Sequence, residues 1–337
     1  MTLKIGPRVL ATSLLAGSLL IGAFPSTLGG FVAHAQGANI SIAVPAYFTD
    51  QALWDKVIAT KEVGYVVGHP DTPAAGQGYV ADKDLVARLD KAKGAGKKTY
   101  VYVTAGYDKV DWKVVADKID SAFIAYPNVD GVFIDEINYD QCDKYKFLAN
   151  GEGTIKGVKA RHPGKLVVLN PGAPILNCYD GLGDGYLNLE RADKDVADWV
   201  SNVNLPGNVP FYEWMFKPER RSQIWEMVHS VAPARIKGAV DDALTRNASI
   251  LFITSDTLPN PYDSLSDDAS FQALVDRVDD YNSGKVALPS VLKLTAPTTT
   301  AAPVTTTPKV VTKAVVTAKP RRILRKFVTK KKAATKD

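Results

Sequence analysis

One feature constrains the fold more than any other. A short run of β-rich apolar residues alternates with a longer stretch of helical spacing, and the strand-like run occurs eight times. These runs fall at Ile40–Tyr47, Glu62–Gly68, Lys98–Thr104, Val129–Asp135, Leu166–Asn170, Tyr186–Glu190, Ile224–His229 and Ile250–Thr254. Helical candidates include Asp82–Ala95, Asp111–Tyr126, Asp143–Arg161, Ala192–Val203, Pro233–Asn247 and Asp267–Asn282. Runs such as VDGVFI and KLVVLN are nearly continuous in apolar residues, which suits parallel strands covered on both faces. Eight such strands with crossovers predict an α/β fold, a closed (β/α)8 TIM-type barrel forming a single domain. Pro206–Arg221 is ambiguous. VPFYEWMF would pass for a ninth strand, and it is read here as a loop carrying an aromatic cluster.

The barrel does not use the whole chain of 337 residues. Residues 1–35 have the layout of an export signal. Lys4 and Arg8 precede an apolar run from Val9 to Ala23, and small residues end in Ala33-His34-Ala35, a cleavage site. That run is shorter than the ~20 residues of a membrane span. From 288 to 337 the chain is first Thr/Ala/Pro/Val-rich and then basic, ending in RRILRKFVTKKKAATKD, and is expected to be a disordered basic tail. The domain lies between, at 38–286.

The net charge of +5 therefore misleads. It resolves into +2 for the signal, −8 for residues 36–287 and +11 for the tail, so the folded part is acidic. The tail suits an anionic cell-wall polymer or an anionic membrane surface. Nucleic acid is disfavoured by export, although clustered Lys and Arg do neutralise phosphates. A monomer, secreted or held at the cell surface, is expected. In an exported chain Cys142 and Cys178 are most simply a disulfide, two free buried thiols being the alternative. No zinc spacing and no phosphate-cradling glycine loop occurs, so neither metal nor cofactor is expected.

In a barrel of this kind the reacting groups sit at the C-terminal ends of the strands. That filter gathers Tyr47, His69 with Asp71, Tyr107, Asp135 with Glu136, Asn170, Glu190, His229 and Asp256 on one rim. Asp135 and Glu136 follow GVFI directly. Charges straight after a buried strand cost desolvation energy unless they are used or paired, and neighbours on a strand face opposite sides. Capping of the next turn is the alternative for that pair alone. Glu190, ending GYLNLE, adds a third acid. Acids so placed suit glycosidic bond cleavage, in which one protonates the leaving oxygen while another group attacks or stabilises the anomeric carbon. Tyr47, Tyr107, Trp214 and Tyr262 are candidates for stacking on sugar rings, or for the core. Asn170 opens NPG, where its amide reaches substrate or caps a turn. His229 binds a sugar hydroxyl or tunes a carboxylate, or bonds backbone.

Several pieces taken together resemble the spherulin-4-like family of glycoside hydrolases, related to endo-α-1,4-polygalactosaminidases. They are VPAYF followed by Leu53-Trp54, GVFIDEI, VVLNPG, DGYLNLE, Val228-His229-Ser230 and ITSDTLPNPYDSL, in that order across 42–265. The resemblance implies a (β/α)8-type fold and endo-cleavage of an exopolysaccharide containing α-1,4-linked galactosamine or N-acetylgalactosamine. It implies Asp135 as nucleophile, or as the group that orients an attacking acetamido, with Glu190 as general acid/base and Glu136 in support. Tyr47, Asn170, His229, Asp256 and Tyr262 are the expected substrate contacts. One departure stands out: the family has bulky apolar residues just before the last Glu, whereas here Asn188 interrupts the run. A catalytically inactive surface module binding glycan with the same rim is the alternative function.

Overall fold

The computed structural model describes residues 39–294 apart from 75, 141 and 143–154. The expected export signal, the tail beyond 294 and the start of the expected helix Asp143–Arg161 lie outside the described residues. Eight parallel strands close into one barrel in chain order, with β8 paired back to β1. The strands are β1 (Ser41–Ala46), β2 (Val63–Gly68), β3 (Lys98–Thr104), β4 (Gly131–Asp135), β5 (Leu166–Leu169), β6 (Gly185–Ala192), β7 (Ile224–His229) and β8 (Ile250–Ile253). The predicted barrel is the observed one.

Helices α1 (Gln51–Ala59), α2 (Lys83–Gly94), α3 (Trp112–Ala125), α4 (Ile155–Arg161), α5 (Val196–Val203), α6 (Ile236–Thr245) and α7 (Asp268–Asn282) run back outside it. Four of them begin at an aspartate. The side chains of Asp50, Asp82, Asp111 and Asp267 accept hydrogen bonds from the first-turn N–H groups of α1, α2, α3 and α7. Each such cap stabilises its helix by about 1 kcal/mol.

The barrel interior is aromatic. Trp225 of β7 packs against Tyr65, Tyr100 and Phe133 with ring centroids 5.0, 5.8 and 6.2 Å away. The next residue, Glu226, points the other way and is fully buried against Arg246, which reaches both of its carboxylate oxygens at 2.7–3.1 Å. This alternation fixes the inward and outward positions of β7. On β6, Gly185 faces inward, because a Cβ there would lie 2.7 Å from Trp225 Nε1. Further along, β6 and β7 fall out of step. Leu187 lies opposite Trp225 and Leu189 opposite Glu226, so Asn188 is one extra residue, a β-bulge.

The structure departs from expectation in four places. Helix α1 was not among the expected helices. The crossover from β5 to β6 holds only a 3-10 turn at Asn177–Tyr179 in place of an α-helix. Pro206–Arg221 is neither a ninth strand nor an open loop: it winds through helical turns at Val209–Tyr212, Glu213–Phe216 and Pro218–Gln223. Those turns fold the aromatic cluster into the core. Trp214 is buried edge-on to Tyr186 and donates from Nε1 to the Ile175 carbonyl at 3.0 Å, so it is not a sugar platform. Finally, residues 288–294, expected to open the tail, lie against the barrel. Val291, Leu292 and Leu294 pack on the core, and Leu292 N–H bonds to the Thr245 carbonyl at 2.7 Å. Thr245 ends α6, at the end of the barrel remote from the strand C-termini.

Candidate active site

Two carboxylates meet at the mouth. Asp135, last in β4, accepts from the Tyr102 hydroxyl through Oδ2 and from Asn170 Nδ2 through Oδ1, each at 2.7 Å. Glu190 of β6 accepts from the same Asn170 Nδ2 through Oε2 and from the Tyr262 hydroxyl through Oε1, again at 2.7 Å. Asn170 follows β5 and is 1% exposed. Its other amide atom, Oδ1, accepts the Gly172 N–H at 2.8 Å, which fixes the N–H₂ end toward the acids. The bridged carboxylate oxygens therefore lie no further apart than twice 2.7 Å.

Charge at such a pair is expensive. Asp135 keeps some surface toward the open mouth, but protein surrounds the rest, and loss of solvation is the main force raising its pKa. The Glu190 carboxylate adds to it, while the Tyr102 hydroxyl and the Glu136 N–H pull the other way. The result is a pKa raised from 3.8 to about 8. Near neutral pH Asp135 therefore holds its proton. Burial and the same acids push the phenols of Tyr47, Tyr102 and Tyr262 well above their ordinary range, and at the pair Tyr102 and Tyr262 act as donors.

Glu136 takes no part in this bridge. Its carboxylate accepts the Thr104 hydroxyl, and its carbonyl accepts the Tyr107 N–H. Glu136 and Tyr107 both hold positive φ, 56° and 49°. Ser230 and Ser266, beyond β7 and β8, do the same at 57° and 68°. Four of the five non-glycine residues with positive φ among the described residues thus lie beyond strand C-termini, where functional sites commonly store strain; the fifth, Asn247, precedes β8.

The remaining expected residues divide. Tyr47 sits at the mouth, edge-on to both Tyr102 and Tyr262 with centroids 5.8 and 5.7 Å apart. Tyr262 is buried and bonded to Glu190, so it serves the acid directly. His229 is buried and bonded to the Ser230 hydroxyl at 2.9 Å, and burial lowers its pKa. Asp256 braces the loop after β8: its carboxylate takes the Ser264 hydroxyl and the Thr257 N–H, and its carbonyl takes the Ser230 N–H. That loop carries Tyr262. Cys142 and Cys178 form a disulfide with Cα atoms 5.9 Å apart, joining the loops after β4 and β5 beside Asp135 and Asn170.

One contributor escaped the strand-end filter. Tyr102 lies two residues before the end of β3, and the inward alternation Tyr100, Tyr102, Thr104 is the signal that would have found it. His69 packs its ring 4.7 Å from Tyr47 and 4.6 Å from Tyr102 while one side stays exposed. Its loss of solvation lowers its pKa.

A closed parallel barrel with a partly buried carboxylate pair at its C-terminal mouth belongs to the (β/α)8 proteins whose chemistry is built on that face. Residues 41–278 match the profile of Spherulin4, the spherulation-specific family 4, and the chain belongs to that family. Among solved structures it is similar to Aspergillus clavatus Sph3 in complex with GalNAc. The TM-score is 0.54 at 20% identity, covering 73% of this chain and 98% of that one. More distant likenesses are the glycoside hydrolase family 5 enzyme PbGH5A from Prevotella bryantii and the maltogenic α-amylase AmyB from Thermotoga neapolitana. Their TM-scores are 0.39 and 0.41, at 12% and 10% identity, covering 70% and 74% of this chain and 88% and 77% of theirs. At 20% identity the likeness to Sph3 is one of fold. A search of curated proteins found no match.

Proposed function

We propose that the chain is a secreted endo-acting glycoside hydrolase. Its substrate is an exopolysaccharide containing α-1,4-linked galactosamine or N-acetylgalactosamine, and Asp135 and Glu190 are its working carboxylates. The observation that carries this reading is the Asn170 amide bridging the two acids. Family membership and the likeness to Sph3, crystallised with GalNAc, support the amino-sugar assignment.

The spacing also favours one stereochemical course. Retaining glycosidases hold their carboxyl groups roughly 5–5.5 Å apart, whereas inverting ones leave roughly 6.5–9.5 Å for a water. The ceiling of twice 2.7 Å set by Asn170 fits retention. In the proposed reaction Glu190 protonates the glycosidic oxygen as the bond to the anomeric carbon breaks, and Asp135 attacks that carbon. Glu190 then takes a proton from the water that releases the sugar from Asp135. Attack needs Asp135 ionised and the leaving oxygen needs an acid, so in the proposed reaction the Asp135 proton passes to Glu190 once the glycan is bound. The hydroxyl of Tyr102 and the amide of Asn170 stabilise the Asp135 charge in that state.

The test is release of reducing ends from galactosamine-containing polysaccharide, with product anomers followed by NMR. Asp135→Asn and Glu190→Gln should each abolish release with the fold retained, and the first-formed product should be the α-anomer. Polysaccharide binding without product on prolonged incubation would instead establish an inactive glycan-binding module.

A further inference from the structure

Strict alternation along β6 would misplace its acid. Counting from Gly185, which faces inward against Trp225, a regular strand puts Leu187 and Leu189 inside the barrel and Glu190 outside, toward the helices. The observed pairing differs. Leu189 lies opposite outward-facing Glu226, and Glu190 lies opposite Met227, on the inward side. The extra residue at Asn188 has shifted the parity, and only so does Glu190 reach Asn170 and Tyr262.

The bulge is costly. Asn188 is 0% exposed, and neither Oδ1 nor Nδ2 of its amide has a hydrogen-bond partner among the described residues. A buried unpartnered polar group destabilises by about 1–3 kcal/mol. Asparagine is a poor strand former, which disfavours regular pairing at this position. The Asn188 carbonyl accepts the Trp199 indole N–H from α5 at 3.1 Å, which clamps the bulge from the helical layer.

We propose that Asn188 and Trp199 are positioning residues: the bulge at Asn188, held by the Trp199 N–H, turns Glu190 into the barrel mouth. The inference rests on Asp135 and Glu190 being the working pair. It also accounts for the polar residue in an otherwise apolar run before Glu190.

The experiment uses the full chain in four forms besides wild type: Trp199→Phe, Asn188→Ile, a deletion of Asn188, and that deletion combined with Trp199→Phe. Deletion heals the bulge but leaves Glu190 opposite Met227, so kcat stays within about threefold of wild type. Trp199→Phe keeps an aromatic ring and loses the clamp. It lowers kcat by about tenfold or more with KM little changed, because a small misplacement of a reacting group is costly. It also moves the alkaline limb of the kcat/KM profile to lower pH, as the Glu190 charge recedes from Asp135. Asn188→Ile, favouring a regular strand, behaves as Trp199→Phe does. In the deletion background Trp199→Phe has no effect on kcat.

A folded deletion variant without activity would overturn the proposal, as would equal losses from Trp199→Phe in both backgrounds. If the deletion variant does not fold, unmoved pH profiles in both Trp199→Phe and Asn188→Ile overturn it. Should wild type hydrolyse nothing, the failure lies with the proposed function. The pH dependence of unfolding then reads the same geometry: it weakens in Trp199→Phe and in Asn188→Ile, and an unchanged dependence in both overturns the inference.

Discussion

Replacing Asp135 by Asn should stop hydrolysis and make the protein more stable, by an amount that grows with pH. The carboxyl has its pKa raised from 3.8 to about 8 in the folded state. The folded protein therefore holds this proton more tightly than the unfolded chain, and stability is lost as pH rises between those values. The whole interval corresponds to about 5–6 kcal/mol at about 1.4 kcal/mol per unit. Halving it for the part of Asp135 that faces the open mouth leaves about 2–3 kcal/mol near pH 8 and less than about 1 kcal/mol at pH 5. Asn is isosteric, and its oxygen can still accept from Asn170 while its amide donates to the Tyr102 oxygen, so few bonds are lost. Urea unfolding at pH 5, 6.5 and 8 measures the gap, and melting at pH 8 should rise by roughly 5–10 °C. An Asp135→Asn variant less stable than wild type at pH 8, or a gap independent of pH, would refute the reasoning. The expected outcome is a functional site held at the expense of stability.

Three further outcomes are expected. Asn170→Ala removes the N–H₂ shared by both acids, so kcat should fall by about a hundredfold, with the two carboxylates no longer held at fixed spacing; unchanged kinetics would remove Asn170 from the site. Cys142→Ser with Cys178→Ser opens a link between residues 36 apart in sequence, and should lower stability by roughly 3–4 kcal/mol. Calorimetry under non-reducing conditions checks this. Truncation after Leu294 should leave hydrolysis of soluble polysaccharide intact while reducing salt-sensitive retention on anionic wall polymer, and equal retention of both forms would end the idea that the tail tethers the enzyme.

The barrel was legible because its physics is repeated eight times: each strand is buried on both faces and reads as apolar, and each crossover shows its own spacing. The meeting of Asp135 and Glu190 was legible because both lie near strand C-termini. What stayed hidden depends on three-dimensional partners. The bulge at Asn188 breaks the period of two on which strand reading rests, so sequence alternation assigns Glu190 to the wrong side. The role of Asn170 depends on the Gly172 N–H fixing which end of the amide faces the acids. Tyr102 was passed over because it lies inside its strand. Trp214 looked like a platform because VPFYEWMF is aromatic, and only the helical turns around it show that the ring faces inward. Helix α1, nine residues long, is brief and was overshadowed by the strands on either side.

The bond from Leu292 to the Thr245 carbonyl sets the pole from which the chain leaves the barrel. Asp135 and Glu190 open at the other pole. Attachment through the tail and the proposed turnover at the pair would thereby use separate surfaces. A bead or electrode coupled through the C-terminus would leave the mouth facing solution, open to a long polymer passing across it. Coupling through the loop that carries Tyr262 would close it.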